Sequence, residues 1–240
     1  MLYLLCAGLA ALADLLPGLL YLRKHPTLPP EGQLPGWTRY LVAAASGIVV
    51  GAALFELLPE AGVEQNAAFV ALGFFAFYLV EKLLMLHACG EAECDDRVHR
   101  ISWLAAVGMA SDNVVDGIGI TIGYLTDPFL GLVLTLAVIS HEVPQGVTTA
   151  VLGQRSGFSY RKSLALVAFA GLMYPAGSLL ALALPAEAFR PVLAVVAGAF
   201  LYVGAGDLLS EAHRKFNSRV ILSVILGALL MFGVSRLHAG

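Results

Sequence analysis

Long apolar runs alternate with short polar breaks along the chain, and the runs share one length. They fall at about 1–22, 38–60, 66–87, 100–124, 128–152, 162–185, 188–210 and 217–238, each close to the roughly 20 residues a helix needs to cross a bilayer. This pattern predicts an all-α integral membrane protein, a single polytopic domain over residues 1–240 with eight transmembrane helices. The longest break, 23–37, contains Pro26, Pro29, Pro30 and Pro35 and reads as a loop.

Composition strengthens that picture. Of 240 residues, 59% are hydrophobic and 13% charged, whereas a soluble domain carries about a quarter charged residues. A net charge of −3 gives no basis for a nucleic acid or other polyionic partner. Three cysteines, Cys6, Cys89 and Cys94, form no disulfide framework. The first run lacks a positive leading region and outruns a signal-peptide core, so it reads as a retained helix.

Lysine and arginine placement orients the chain. The connections after runs 1, 3, 5 and 7 share one side of the membrane, with Arg23, Lys24, Arg39, Lys82, Arg97, Arg100, Arg155, Arg161, Lys162, Arg214, Lys215 and Arg219. The other side holds Arg190 and Arg236. The positive-inside rule puts the first side in the cytoplasm. The expected location is the cell (inner) membrane, multi-pass, with both termini extracytoplasmic.

There is also an internal echo. Glu56-Leu57-Leu58-Pro59-Glu60-Ala61 ends the second run, and Asp207-Leu208-Leu209-Ser210-Glu211-Ala212 ends the seventh. The two runs cross in opposite directions, as in an inverted repeat, here runs 1–3 and 6–8 around central runs 4 and 5.

Two stretches carry the chemistry. Asp112-Asn113-Val114-Val115-Asp116-Gly117 lies mid-way along run 4, and His141-Glu142-Val143-Pro144-Gln145-Gly146 mid-way along run 5. Residues four apart share a helix face, so Asp112 pairs with Asp116 and His141 with Gln145. Asn113 and Glu142 sit one step round. The tight turn Thr126-Asp127-Pro128 brings both stretches to one depth. A lone amide in a membrane helix reads as interhelical glue. Three carboxylates with a histidine on neighbouring helices read as a cation site, because buried charge in a bilayer needs a partner or an ion path. Oxygen and imidazole donors together suit Zn²⁺, Mn²⁺ or Fe²⁺. Pro144 frees a carbonyl near Ser140, and Gly117, Gly119 and Gly123 give run 4 a surface for close approach.

These stretches resemble the ZIP (Zrt/Irt-like) family of divalent metal transporters. That family carries His-Asn-x-x-Asp/Glu-Gly in its fourth span and His-Asp/Glu-x-Pro-x-Glu/Gly in its fifth. The likeness extends to Phe200-Leu201-Tyr202-Val203 with Asp207-Leu208-Leu209, and to Leu57-Leu58-Pro59-Glu60-Ala61. The resemblance implies an eight-helix bundle with metal between spans 2, 4, 5 and 7. It implies one metal site of Asp112, Asp116 and Gln145 with His141 nearby, and an adjacent second site with Asn113 and Glu142.

The chain departs from the family pattern at several positions. Asp112 stands where histidine is usual, and Gln145 where glutamate or histidine is frequent. Glu56 replaces a common histidine, and Tyr174-Pro175 occupies the place of a Glu-Pro in some members, which weakens the implied second site. Carboxylate in place of imidazole leans from strict zinc selectivity toward Mn²⁺, Fe²⁺ or a broader range.

Other polar residues have plainer readings. The stretch 87–99 gathers His87, Cys89, Glu91, Glu93, Cys94, Asp95, Asp96 and His99, as either a solvated acidic loop or an ion-receiving one. Asp207, Glu211 and His213 fit an exit path or interfacial charges equally. Asp14, three residues before Pro17, is expected to bond to backbone that the proline frees. Tyr3, Trp37, Tyr40 and Trp103 read as interfacial anchors.

The expected function is transport of divalent transition metal into the cytoplasm by alternating access. The cargo is Zn²⁺ or a broader set including Mn²⁺, Fe²⁺ and Cd²⁺, with no cofactor. Expected partners are that ion, membrane lipid and, as an open question, a second copy of the chain. The alternative is a membrane-embedded metal-dependent hydrolase. His141-Glu142 opens an H-E-x-x-H pattern, but Gln145 stands where the second histidine belongs. A carrier of organic solutes would want aromatic lining, whereas Val114, Val115, Ile118 and Val143 flank the site.

Overall fold

A computed structural model describes residues 1–27, 36–89, 103–155, 157–213 and 217–238. Most of the 23–37 loop and of the acidic 87–99 stretch lies outside these. The described residues form eight long helices: α1 (Leu2–Lys24), α2 (Thr38–Glu60), α3 (Val63–Cys89), α4 (Trp103–Thr126), α5 (Pro128–Arg155), α6 (Tyr160–Ala181), α7 (Ala186–Ala212) and α8 (Ser218–His238). All but α4 meet the length and apolarity of a membrane span within the described residues. The chain is a multi-pass membrane protein. Gly62, at φ +63°, closes the short connection from α2 to α3 in a backbone conformation that favours glycine.

Burial separates the centre from the periphery. In the most apolar window of each helix, 67% of α5 and 61% of α2 are buried, against 6% of α3 and 17% of α8. Leucines 2, 5, 9, 12, 16 and 20 of α1 are exposed, as expected of a face turned to lipid. The main core joins α1, α2, α4, α5 and α7 through small side chains such as Ala7, Ala10, Ala52, Ala137 and Ala197.

The packing has a two-fold pattern. Helix α1 packs on α5, α6 on α4, α2 on α8 and α7 on α3. Exchanging 1 with 6, 2 with 7, 3 with 8 and 4 with 5 maps each pair onto another. The echoed motifs share a backbone irregularity as well. Ala53–Leu57 in α2 and Tyr202–Leu208 in α7 are both π-helical, and they carry Glu56 and Asp207. Such wide turns occur often at functional sites. Ser46 of α2 donates to the Gly204 carbonyl in the second of them at 2.9 Å.

Candidate metal centre

Asp127 fixes how α4 meets α5. Its Oδ1 accepts from the amides of Phe129 and Leu130 at 2.7 and 3.0 Å, capping α5 just where Pro128 starts it. The helices leave this turn antiparallel and pack on each other, so the middles of both stand at one depth. Helix α6 closes on α4 through two glycines. A Cβ at Gly117 would strike the Tyr174 carbonyl, and one at Gly177 would strike that of Val114. The hydroxyls of Thr121 and Ser178 pair across the same contact.

At that depth Asp116, His141 and Glu142 come together, each with one donor atom within 4.8 Å of the others. Their exposures are 1%, 1% and 0%. Nε2 of His141 lies 3.2 Å from Asp116 Oδ2 and 3.0 Å from Glu142 Oε1. On the other side of the ring, Nδ1 faces the Ala137 carbonyl at 3.0 Å. A carbonyl only accepts, so Nδ1 carries the proton. When the ring is neutral, Nε2 presents a lone pair toward two carboxylate oxygens, and three acceptors converge on one point. A cation there satisfies all of them, and the Nδ1–carbonyl bond holds the ring as outer partners of metal-bound histidines do. The edge of Phe200, from α7, packs against the imidazole.

The polar residues group differently from their spacing. Asn113, 1% exposed, donates from Nδ2 to the Ala170 carbonyl of α6 at 3.0 Å, and its Oδ1 accepts from Gln145 Nε2 at 3.3 Å. These amides tie α4, α5 and α6 together beside the carboxylate–histidine cluster. Asp112 is half-buried one turn from Asp116. Glu142, assigned by resemblance to a second site, shares the first cluster with Asp116 and His141, while Asn113 and Gln145 are paired with each other.

Asp14 carries more than the sequence suggested. It is 1% exposed and neither carboxylate oxygen has a hydrogen bond, so it does not bond to backbone freed by Pro17. Its one sequence signal was a carboxylate in the middle of an apolar run. Near the end of α7 expected in the cytoplasm, Asp207 stands beside Glu81 of α3. Glu81 accepts from the Tyr202 hydroxyl and pairs with Lys82 at 3.0 Å. Sequence reading passed over Glu81 because it adjoins a lysine at a span end.

Comparison with known proteins agrees with this architecture. The uncharacterized protein MJ1036 of Methanocaldococcus jannaschii is 29% identical over 108 residues, which cover 43% of this chain and 46% of that protein. The match thus spans about half of that relative. The ZIP zinc transporter family model matches residues 87–235, more than half of the chain and all of α4 to α7. The chain belongs to the ZIP zinc transporter family.

Proposed function

We propose that this protein carries divalent transition-metal ions across the membrane into the cytoplasm, with Asp116, His141 and Glu142 as the central ligands and Asp112, Asn113 and Gln145 beside them. The observation that carries the reading is the buried cluster itself, with three acceptors converging on one point in the middle of a membrane bundle. Buried carboxylates without a counter-charge are costly in a bilayer, and such groups mark ion paths. Imidazole with carboxylates accommodates Zn²⁺, Mn²⁺, Fe²⁺ or Cd²⁺.

Alternating access is the mechanism consistent with the two-fold packing, in which one set of helices rocks against the other around a fixed central site. Acidic residues stand along the route at both ends. Glu56, Glu60 and Asp127 line a cavity of about 320 Å³ on the side expected to be extracytoplasmic. Asp207 and Glu81 lie toward the opposite side. An ion entering the cavity would meet carboxylates before the central cluster and again on leaving it.

Uptake of Zn²⁺, Mn²⁺, Fe²⁺ and Cd²⁺ into proteoliposomes, with hydrolytic assays on the same preparation, tests the reading. Metal accumulation that depends on Asp116, without hydrolysis, is the expected outcome. Hydrolysis without accumulation would replace it with the enzymatic alternative.

A further inference from the structure

Tyr174 of α6 is 0% exposed and among the largest side chains that the bundle buries completely. Its hydroxyl is hydrogen-bonded to the Glu142 carboxylate of α5. An ionised carboxylate only accepts, so the phenol donates. Glu142 is buried as fully, and its Oε1 lies 3.0 Å from His141 Nε2. One carboxylate therefore meets the ion-binding point and the phenol together. The backbone around Tyr174 is fixed to α4. The Tyr174 carbonyl packs where a Cβ would stand on Gly117, and the Val114 carbonyl does the same at Gly177. One turn on from Tyr174, Ser178 pairs its hydroxyl with that of Thr121. Pro175 follows within the helix and locks φ there. A phenol anchored in this way has little freedom to follow a moving carboxylate, so the carboxylate settles against the phenol.

We infer that Tyr174 is a positioning residue of the metal centre, whose hydroxyl holds the Glu142 carboxylate so that one oxygen is turned to the ion beside His141. A glutamate can bind a cation through one oxygen or chelate it through both. A phenol bonded to the carboxylate occupies a lone pair that chelation would need and stops rotation about the last side-chain bond. The Nδ1 bond of His141 to the Ala137 carbonyl does the same for the imidazole, and such outer partners set the orientation of metal ligands. Both ligands that α5 supplies are then oriented before an ion arrives, one by its own helix and one by α6. A neutral donor suits this task. It steadies the carboxylate in the dry interior and leaves the negative charge for the cation, where a lysine or arginine would neutralise it in an ion pair.

This inference rests on the central cluster being a metal site, and its test separates the two. Co²⁺ alone is titrated into the full-length, detergent-solubilised protein, where its visible d–d bands report both affinity and coordination geometry. Asp116→Ala judges the premise: binding as in wild type would remove the metal site, and the inference with it. Tyr174→Phe deletes only the hydroxyl. It is expected to bind Co²⁺ at least about tenfold more weakly, as loss of an outer partner does. Its bands should move in position and intensity, because the freed carboxylate coordinates differently. Wild-type affinity and bands in Tyr174→Phe overturn the inference while the metal site stands. Weaker binding with unchanged bands also overturns it, since the hydroxyl would then serve packing alone. Complete loss of Co²⁺ from folded Tyr174→Phe does so too, because the phenol would itself be a ligand. A second measurement needs no variant. The infrared spectrum of wild type with Zn²⁺ minus that without should show a shifted tyrosine ring band, because the ion draws charge from the acceptor of the phenol's bond. No tyrosine shift overturns the inference.

Discussion

Nε2 of His141 lies 3.2 Å from Oδ2 of Asp116, and the two side chains belong to antiparallel helices joined by a single capped turn. The contact ties α4 to α5 in the most buried part of the bundle. Asp116 is thus the carboxylate that spans the helix interface. Asp116→Ala is expected to lower metal uptake at least tenfold while the protein still inserts and folds. The tenfold loss corresponds to roughly 1.4 kcal/mol, below the usual worth of a charged ligand's contact. Uptake within about twofold of wild type at equal membrane abundance would remove Asp116 from the ion's path.

Gln145 stands in a different relation to the centre. Its Nε2 donates to Asn113 Oδ1, whose own amide is committed to Ala170. Gln145→Glu removes that donor and sets a carboxylate against an acceptor, which should cost the metal-free protein about 1–3 kcal/mol. The same change adds a negative charge beside the cluster and should tighten cation binding. The two effects show together in thermal unfolding, as a lower midpoint without metal and a larger rise on adding it, because a ligand that binds only the folded state stabilises it. An unchanged rise would place Gln145 outside the ion's reach.

The contact between α4 and α6 sets the position of Asp116 less directly. Gly177 has the Val114 carbonyl where a Cβ would go, and Gly117 has that of Tyr174. Gly177→Ala should force the helices apart and destabilise the protein by about 1–3 kcal/mol, as overpacking does. Since Val114 is two residues from Asp116, uptake should fall as well. Thermal unfolding and uptake measured on the same preparation would show both losses. Wild-type stability would mean that α6 can slide past the added methyl.

The spans were legible because a membrane helix has a length and a composition that no other element shares; α2 runs Thr38–Glu60 as its apolar run indicated. The acids and histidine of the centre were legible because ionisable groups are rare at that depth. Their grouping was not. Residues one apart differ by about 100° around a helix, so spacing set Glu142 apart from His141. The two-carbon arm of glutamate nonetheless brings Oε1 to 3.0 Å from Nε2. The pairing of the amides was not legible either: Asn113 donates to a backbone carbonyl of α6 and accepts from Gln145, contacts between helices that spacing within one helix does not show. Asp14 was obscured by Pro17, which offered it a local partner it does not use. The inverted repeat rested on six letters in the sequence and is strengthened by the two π-helical stretches.

Asp112 is half-buried one turn from Asp116, at the place where the resembling ZIP motif carries histidine, and in the proposed site it should weigh on which metal is preferred. A carboxylate is a hard ligand and an imidazole a softer one, so Asp112→His should raise the Zn²⁺/Mn²⁺ uptake ratio. A shift of about 1.4 kcal/mol between the metals would appear as a tenfold change in that ratio. Acidity supplies an internal control. Carboxylate and imidazole must be deprotonated to ligate a metal, so protons compete with the ion and binding weakens as pH falls. Metal binding by wild type and variant alike should therefore weaken as the medium is acidified. The measurement is competitive uptake of Zn²⁺ and Mn²⁺ by both proteins at two pH values about two units apart, on either side of the ordinary imidazole midpoint. A ratio that does not move at the higher pH would show that Asp112 does not touch the ion, leaving selectivity to Asp116, His141 and Glu142.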